Sequence, residues 1–257
     1  MTEPASISDS ALMLRPAGER FHSERGWLNS WHSFSFAGHH HPDWMGFGPL
    51  RVINDDVIAA GQGFGMHPHR DMEIITVMVE GQLNHRDSLG HSGVIHAGDV
   101  QRMSAGTGIV HSEVNEGDVP CRLLQIWIEP HELGLSPSYE QRQIAIGTDW
   151  TPLIAPDQPE VMAIARPVQI WRAQPPVGAE LALPAFGDES AWIQMIDGNA
   201  ELTGEAANAP IPLGRGDGIG LLKSTTHCSL RSTSGSSSGS GSGSTNDRCD
   251  ALLFLLS

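Results

Sequence analysis

The sequence predicts an all-β protein built from two closed barrels in tandem, the second a degenerate copy of the first. Its apolar segments are short and rich in β-branched residues, and 29 glycines and 17 prolines separate them with frequent turns. The order of a strand, a glycine turn and a Gly-Asp corner then recurs in the second half of the chain. We assign the first barrel to residues 1–140 and the second to residues 141–257.

The strands predicted for the first barrel follow one another at spacings of about 8–12 residues, as they do in sandwiches and barrels. The first of these segments, residues 73–80, is β-branched and runs into Gly81, which signals a hairpin. The last, residues 123–128, is closed by Pro130. Between them, further strands are predicted at residues 83–87 and 100–103.

The second barrel repeats this order with weaker signals. Its glycine corner is the segment LGRGD at residues 213–217, and the low-complexity segment of serine and glycine at residues 232–244 predicts a flexible loop. The strands predicted here cover residues 191–196, 218–222 and 249–256. The last of them follows the loop and would close the barrel.

The composition excludes several classes of function. The formal net charge is −15, and a surface this acidic repels phosphate backbones, so we expect no direct binding of nucleic acid. The longest apolar run near the end of the chain, residues 251–256, is far shorter than the roughly 20 residues that a membrane span needs. The N-terminus lacks the features of a secretory signal, and the three cysteines show no CxxC spacing. We therefore predict a cytoplasmic protein without a disulfide framework.

Two pairs of potential metal ligands are the candidate functional residues. His67 and His69 are separated by one residue, and so are His111 and Glu113. On a strand, residues at i and i+2 point to the same face, which in a small barrel is the interior. If the two strands are neighbours, three neutral imidazoles and one carboxylate converge on one point. The alternative interpretation is a set of hydrogen-bonded core histidines or a charged strand face.

Nitrogen and oxygen ligands without a thiolate suit Fe(II), Ni(II), Cu(II), Mn(II) or Zn(II). Four protein ligands on an octahedral ion leave two positions for a substrate and for dioxygen or water. The one histidine of the second barrel, His227, has no partner at i+2. We therefore predict one divalent metal ion per chain, Fe(II) in the first place, with the other four ions as alternatives.

Several longer motifs resemble known families. The segments around HPHRDME and SAGTGIVHSE resemble the two metal-binding motifs of the cupins. More narrowly, three motifs resemble the pirin family and, within it, the bacterial pirin-like quercetin 2,3-dioxygenases: GWLNSWHSFSF at residues 26–36, MGFGPLRVINDD at 45–56 and HPHRDMEI at 67–74. The resemblance is strong over residues 1–145 and weak over the remainder.

The resemblance implies a bicupin fold in which the four metal ligands are His67, His69, His111 and Glu113. Glu73 stands where many other cupins take a ligand, but pirins do not use that position, so we expect it to support the structure. The implied activity is the opening of the central ring of a flavonol such as quercetin by dioxygen, with release of carbon monoxide. Glu113 is the group expected to take the proton of the substrate's hydroxyl.

A second class of function remains as an alternative. Some pirins act on transcription factors or metabolic enzymes, and the chain would then be a metal-loaded binding protein that regulates a protein partner. The acidic surface permits such a partner but contains no specific interface motif. Turnover with oxygen consumption would favour the enzyme, whereas a partner whose binding depends on the oxidation state of the metal would favour the regulator.

Other conspicuous residues have simpler interpretations. The three consecutive histidines at residues 39–41 cannot all reach one ion, and we expect a solvated loop there. The run GQGFG at residues 61–65 imitates a dinucleotide loop but lacks the helix that must follow it. Five aromatic residues are expected in the core or in a pocket wall suited to a flat polyphenol: Trp31, Phe34, Phe36, Trp44 and Phe47.

Overall fold

The computed structural model describes residues 12–184, 189–204, 209–222, 227–234 and 248–257. Over these residues the protein is all-β, as the sequence predicts, with two short 3-10 turns at Ala17–Glu19 and Pro42–Trp44. None of the helical segments in the described residues is long or apolar enough to cross a membrane. In chain order the strands are β1 (Leu12–Arg15), β2 (Phe21–Glu24), β3 (Leu28–His32), β4 (Leu50–Ile58), β5 (Gly63–His69), β6 (Glu73–Glu80), β7 (Gln82–Asp87), β8 (Ser92–His96), β9 (Asp99–Ser104), β10 (Ile109–Val114), β11 (Cys121–Ile128), β12 (Ser138–Gln143), β13 (Thr151–Ile154), β14 (Gln169–Ala173), β15 (Glu180–Ala182), β16 (Ser190–Asp197), β17 (Asn199–Gly204), β18 (Ile211–Gly214), β19 (Gly218–Leu221), β20 (Cys228–Thr233) and β21 (Asp250–Leu256).

The first barrel consists of a seven-stranded and a four-stranded antiparallel sheet. The strand order is β12-β9-β6-β11-β4-β3-β2 in the larger sheet and β5-β10-β7-β8 in the smaller one. Apolar side chains of the two inner faces pack together, Leu83 and Ile95 of the smaller sheet with Met78 and Leu123 of the larger. Buried and more exposed residues alternate along β10, so every second residue of this strand faces the interior.

The second barrel has the same construction. Its larger sheet has the order β1-β19-β16-β21-β14-β13, and its smaller sheet has the order β15-β20-β17-β18. Strand β1 falls within the predicted first domain, yet it pairs with β19 of the second barrel, from Leu12 opposite Leu221 to Arg15 opposite Gly218. The sequence gives no sign of this exchange, and the domain boundary after residue 140 stays a prediction.

The two larger sheets pack against each other and form the main core of the molecule. Strand β11 contributes Leu124 and Ile126 to this core, and the second barrel contributes Trp192 and Phe254. Every second residue of β11 points the other way, into the first barrel. Because both of its faces are covered, β11 is buried along nearly its whole length, which explains its almost continuous apolar sequence.

A buried arginine also joins the barrels. Arg122 of β11 donates to both carboxylate oxygens of Asp55, at 2.8 and 2.9 Å, and to Asp197 of the second barrel at 2.7 Å. Burial alone would lower the pKa of Arg122, but the hydrogen bonds and negative charges of Asp55 and Asp197 outweigh it and raise that pKa. The pairing of these groups allows charge to be buried at the junction.

The predicted strands are confirmed to within a few residues. Residues 73–80 form β6, residues 123–128 lie within β11, and the predicted closing strand is β21. The predicted loop at 232–244 begins at the end of β20, and its residues from 235 onward lie outside the described part of the chain.

Candidate metal centre

Three imidazoles meet inside the first barrel. Strands β5 and β10 are hydrogen-bonded neighbours, with His67 opposite His111 and His69 opposite Ile109. One ring nitrogen from each of the three histidines lies within 4.8 Å of those of the other two. The two pairs therefore lie on neighbouring strands, and their three histidines converge.

A β-bulge sets the local geometry of these strands. The register shifts by one residue between the pair His111–His67 and the pair Glu113–Phe64, which bends the strand beside the site. At Gly63 a Cβ atom would lie 2.3 Å from the carbonyl oxygen of Glu113, so only glycine fits this close approach. The glycine run that imitates a dinucleotide loop therefore leads into a strand, and it shapes the site instead of binding phosphate.

The histidines are held in the form that binds metals. Burial, and then the proximity of the neighbouring imidazoles, lowers the pKa of His69 to about 4 and that of His111 to about 3. Both rings are therefore neutral near pH 7, as metal coordination requires. The Nδ1 of His67 lies 2.7 Å from the carbonyl oxygen of Gly65, which leaves its Nε2 free as a ligand atom.

Two unsatisfied atoms show that the site fits a metal ion. Both ring nitrogens of His111 are buried and have no hydrogen-bond partner among the described residues. Buried polar atoms are almost always paired, and an unpaired one calls for a bound water or ion. A divalent cation that binds one nitrogen from each histidine would satisfy one of the two.

Glu113 lies in the same cavity but outside the histidine cluster. Its carboxylate accepts hydrogen bonds from Nε2 of Gln125, at 3.0 and 3.3 Å, and from the hydroxyl of Thr76 at 3.4 Å. Burial raises the pKa of Glu113, although nearby histidines and these hydrogen bonds oppose the rise. The structure thus brings together three of the four predicted ligands and aims the fourth at the opposite sheet.

The histidine cluster opens into a cavity of about 230 Å³ between the two sheets of the first barrel. The smaller sheet supplies the metal-site residues. The larger sheet supplies a row of polar side chains, which are Ser23, Ser30, His32, Asn54, Asp56 and Gln125. Apolar residues close the remaining walls, among them Leu28, Phe36, Ile58, Phe64, Leu83, Leu123 and Trp127. This is the composition of a small-molecule site, mostly apolar with a few polar groups that can fix orientation.

Comparison with known proteins agrees with this geometry. The sequence model of the family described as Pirin matches residues 15–128. The quercetin 2,3-dioxygenase of Escherichia coli K12 is 43% identical over 199 residues, which cover 77% of this chain and 86% of that protein. The chain belongs to the pirin family.

Solved structures place this pirin among bacterial relatives over its full length. The bacterial pirin YhhW of Escherichia coli, crystallised with nickel(II), superposes with a TM-score of 0.83 at 38% identity, covering 95% of this chain and 98% of that one. A quercetin 2,3-dioxygenase of Acinetobacter baumannii superposes with a TM-score of 0.72, covering 95% of this chain and 78% of that one. At 19% identity, the second likeness shows the fold alone.

Other residues singled out in the sequence take more ordinary positions. Glu73 is buried and accepts a 2.6 Å hydrogen bond from Ser104, and it does not line the cavity. His40 and His41 are exposed, as expected for a solvated loop. His39 differs, because it is half-buried, stacks on Phe21 and hydrogen-bonds the hydroxyl of Ser23 at 2.9 Å.

Four of the five predicted aromatic residues lie in or against the core or in the pocket wall, with Trp44 partly buried against the main core, whereas Trp31 is half-buried, stacks on His22 and does not line the cavity. Phe34 and Phe47 are buried in the main core of this pirin, whereas Phe36 lines the cavity. Trp127 and Phe64, which the sequence analysis does not single out, line the cavity as well. The ring of Trp127 lies edge-on to His69 with the centroids 4.9 Å apart.

The sequence analysis did not predict the polar row of the larger sheet, although the sequence of the strands contains a signal for it. Asn54 and Asp56 interrupt the apolar strand β4, and Gln125 interrupts the apolar strand β11. Burying a polar residue within an otherwise apolar strand costs free energy unless the residue is hydrogen-bonded. Their presence therefore marks a polar lining on the inner face.

A second cluster of aromatic and imidazole rings lies beside His111. The ring of His85 lies 5.4 Å from that of His111, and its Nε2 donates to Asp87 at 3.2 Å. Tyr139, the single tyrosine of the chain, stacks between His85 and His91 with centroid distances of 4.7 and 5.0 Å. Burial, and then nearby carboxylates, raises the pKa of Tyr139 to about 12, so its hydroxyl stays protonated.

Proposed function

We propose that this pirin holds one divalent metal ion with His67, His69, His111 and Glu113 and opens the central ring of a flavonol with dioxygen. The observation that carries the proposal is the convergence of three imidazoles on a mostly apolar cavity. The Escherichia coli relative that bears the name quercetin 2,3-dioxygenase, 43% identical to this chain, supports the choice of reaction.

The ligand set comes from two neighbouring strands. Each histidine would supply one nitrogen, and Glu113 would supply a carboxylate oxygen from the same face of β10. When bound, the metal would supply a Lewis acid that favours the ionised form of a substrate hydroxyl and a redox partner for dioxygen. Nitrogen and carboxylate ligands that leave positions open are typical of non-haem iron oxygenases.

We propose Fe(II) as the ion used in the cell. The crystal structure of the related YhhW contains nickel(II), and a site of given nitrogen and oxygen ligands generally holds Ni(II) more tightly than Fe(II). The ion that the site binds most tightly need not be the ion that it holds in the cell, because the latter also depends on which metals are available.

Glu113 is suited to accept the proton of the substrate's hydroxyl. A carboxylate whose pKa is raised by burial is a better proton acceptor near neutral pH than an ordinary one. Gln125 and Thr76 hold this carboxylate by hydrogen bonds from the opposite sheet. They place it at the cavity without neutralising it, since neither partner carries a positive charge.

The walls of the cavity favour a flat aromatic substrate. Phe36 and Trp127 meet edge to face with their centroids 5.4 Å apart, and Phe64 lies on the same cavity. Aromatic rings bind a planar ligand through stacked or edge-to-face contacts. Their packing also limits the entry of bulk water beside the reacting groups.

The experiment combines metal content with turnover. Purified protein is assayed for metal by elemental analysis, and its incubation with quercetin is followed by absorbance and by oxygen consumption, with an anaerobic sample as the control. We expect close to one metal ion per chain and an oxygen-dependent loss of the flavonol band. His67→Ala should lose both properties, and the exposed His40→Ala should keep them.

Two results would contradict the proposal. The first is full metal content and full ring-opening activity in His67→Ala. The second is a fully loaded wild-type protein that consumes neither flavonol nor oxygen, which would favour a regulatory protein that binds metal without turnover.

A further inference from the structure

A second carboxyl group faces the cavity from the side opposite the histidines. Asp56 lies on β4 of the larger sheet, whereas His67, His69 and His111 lie on β5 and β10 of the smaller one. The side chain of Asp56 lines the cavity between these sheets, and the residue is only 5% exposed. A ligand that binds at the histidine cluster would therefore lie in the space between the histidines and this carboxyl group.

Among the described residues, the carboxyl group of Asp56 has a single hydrogen-bond partner. The hydroxyl of Ser30, directly opposite on β3, donates a very short hydrogen bond to its Oδ1. Within the described residues no arginine, lysine or histidine forms an ion pair with Asp56, and no group donates to its Oδ2. This oxygen is also not among the buried unpaired atoms that are sealed from any opening. One carboxyl oxygen is thus left to face the cavity.

The neighbouring residue shows the contrast. Asp55 points to the opposite face of β4, where Arg122 satisfies both of its oxygens. Two adjacent carboxyl groups on one strand therefore meet opposite environments, one fully paired at the barrel junction and one nearly unpaired in the cavity. Burying an unpaired carboxyl group costs folding free energy, and such groups cluster at functional sites.

The other polar groups of the row are already engaged. Nδ1 of His32 and Oδ1 of Asn54 lie 2.7 Å apart, and Gln125 is bound to Glu113 and Thr76. Burial, followed by the negative charges of Asp55 and Glu113, raises the pKa of Asp56 to about 7, although Ser30 opposes the rise. In either protonation state its Oδ2 can form a hydrogen bond with a hydroxyl group.

We propose that Asp56, oriented by Ser30, recognises a second hydroxyl group of the substrate, remote from the hydroxyl that the metal binds. This inference rests on the proposed function, and it narrows the substrate to polyhydroxylated planar aromatics. Aromatic and aliphatic walls hold the rings, the metal site takes one hydroxyl, and Asp56 selects molecules that present another at the far end. Asp56 is thus a specificity residue that leaves the metal ligands untouched.

The test measures binding affinity and does not depend on turnover. Affinities of metal-loaded protein for 3-hydroxyflavone and for derivatives with one added ring hydroxyl are measured by calorimetry without oxygen. The same series is measured with Asp56→Asn, which keeps the size of the side chain. A hydrogen bond to a charged group is worth about 10-fold or more in affinity. At least one derivative should therefore bind the wild type about 10-fold more tightly than 3-hydroxyflavone does.

In Asp56→Asn this preference should fall to about 3-fold or less, because the amide offers only a neutral hydrogen bond, roughly half as strong as a charge-assisted one, while the affinity for 3-hydroxyflavone and the metal content stay as in the wild type. Val57→Ala is the matched control. Val57 is the next residue of the same strand, and its side chain points to the opposite face of the sheet, away from the cavity. Equal weakening of all ligands in Asp56→Asn, or an unchanged preference, would overturn the inference.

The failure of this inference can be told apart from the failure of the proposed function. If the wild type binds none of the flavones, both are overturned. If it binds them all with equal affinity, only the role of Asp56 is overturned, and this comparison needs no variant. Binding that follows the expected pattern supports Asp56 whether or not turnover is detected.

Discussion

His111 and His67 stand directly opposite each other on the antiparallel strands β10 and β5, with ring centroids 4.4 Å apart. Both ring nitrogens of His111 are buried without a partner. An unsatisfied buried polar group costs about 1–3 kcal/mol. The pair therefore destabilises the protein when no metal is bound and becomes favourable when an ion accepts the imidazole nitrogens.

The first prediction follows from that cost. In metal-free protein, His111→Leu should raise the free energy of unfolding by about 1–3 kcal/mol, because it removes an unsatisfied polar ring from a buried site. With added metal the order should reverse, since a ligand at 1,000 times its Kd stabilises the wild type by about 4 kcal/mol and the variant not at all. Urea unfolding with and without a chelator measures both. A variant less stable than the wild type in the presence of chelator would contradict the assignment.

The second prediction concerns pH. The unfolded chain protonates His111 near pH 6.5, whereas the folded protein protonates it only near pH 3. Because the unfolded state binds more protons in this window, stability is lost as pH falls below about 6.5. The free energy difference between metal-free His111→Leu and wild type should therefore grow by roughly 1.4 kcal/mol per pH unit between pH 6 and pH 4. The contributions of groups away from the histidine cluster, such as Asp56, cancel in this difference, and a flat difference would contradict the lowered pKa.

The third prediction tests the close approach of β5 to β10. Gly63→Ala should lower the free energy of unfolding by about 1–3 kcal/mol and weaken metal binding, since its Cβ would meet the backbone of Glu113 and Val114 at 2.3 and 2.5 Å. Gly65→Ala is the control, because nothing lies within 4 Å of a Cβ there. Its effect should stay within about 0.5 kcal/mol. Metal titration measures the affinity of both variants, and urea unfolding measures their stability. Equal effects in the two variants would contradict a specific need for glycine at position 63.

The fourth prediction tests the junction between the barrels. Arg122→Ala removes both short hydrogen bonds to the buried Asp55, leaves it only the longer ion pair with Arg20 at 3.9 Å, and should cost about 3 kcal/mol of unfolding free energy. Arg86→Ala breaks an ion pair with Glu116 in which both side chains are exposed, so it should cost no more than about 1 kcal/mol. Denaturant unfolding compares the two. Similar losses would mean that the buried network does not hold the barrels together.

Much of the site follows from local sequence. The spacing of His67 and His69, and that of His111 and Glu113, places each pair on one face of a strand wherever that strand lies. The strong β-pattern of residues 73–80 and 123–128 likewise reproduces β6 and β11. These features depend on the period of two along a strand, which is a property of neighbouring residues alone.

Long-range contacts decided the rest. No local pattern shows that β1 joins the second barrel, that Glu113 turns towards Gln125, or that Arg122 pairs with Asp55 while Asp56 lines the cavity. The sequence by itself determined an all-β chain and which residues could bind a metal. The tertiary structure alone decided which strands are neighbours and what lies across the cavity, because pairing distant strands depends on how the whole core packs and on residues far apart in the chain.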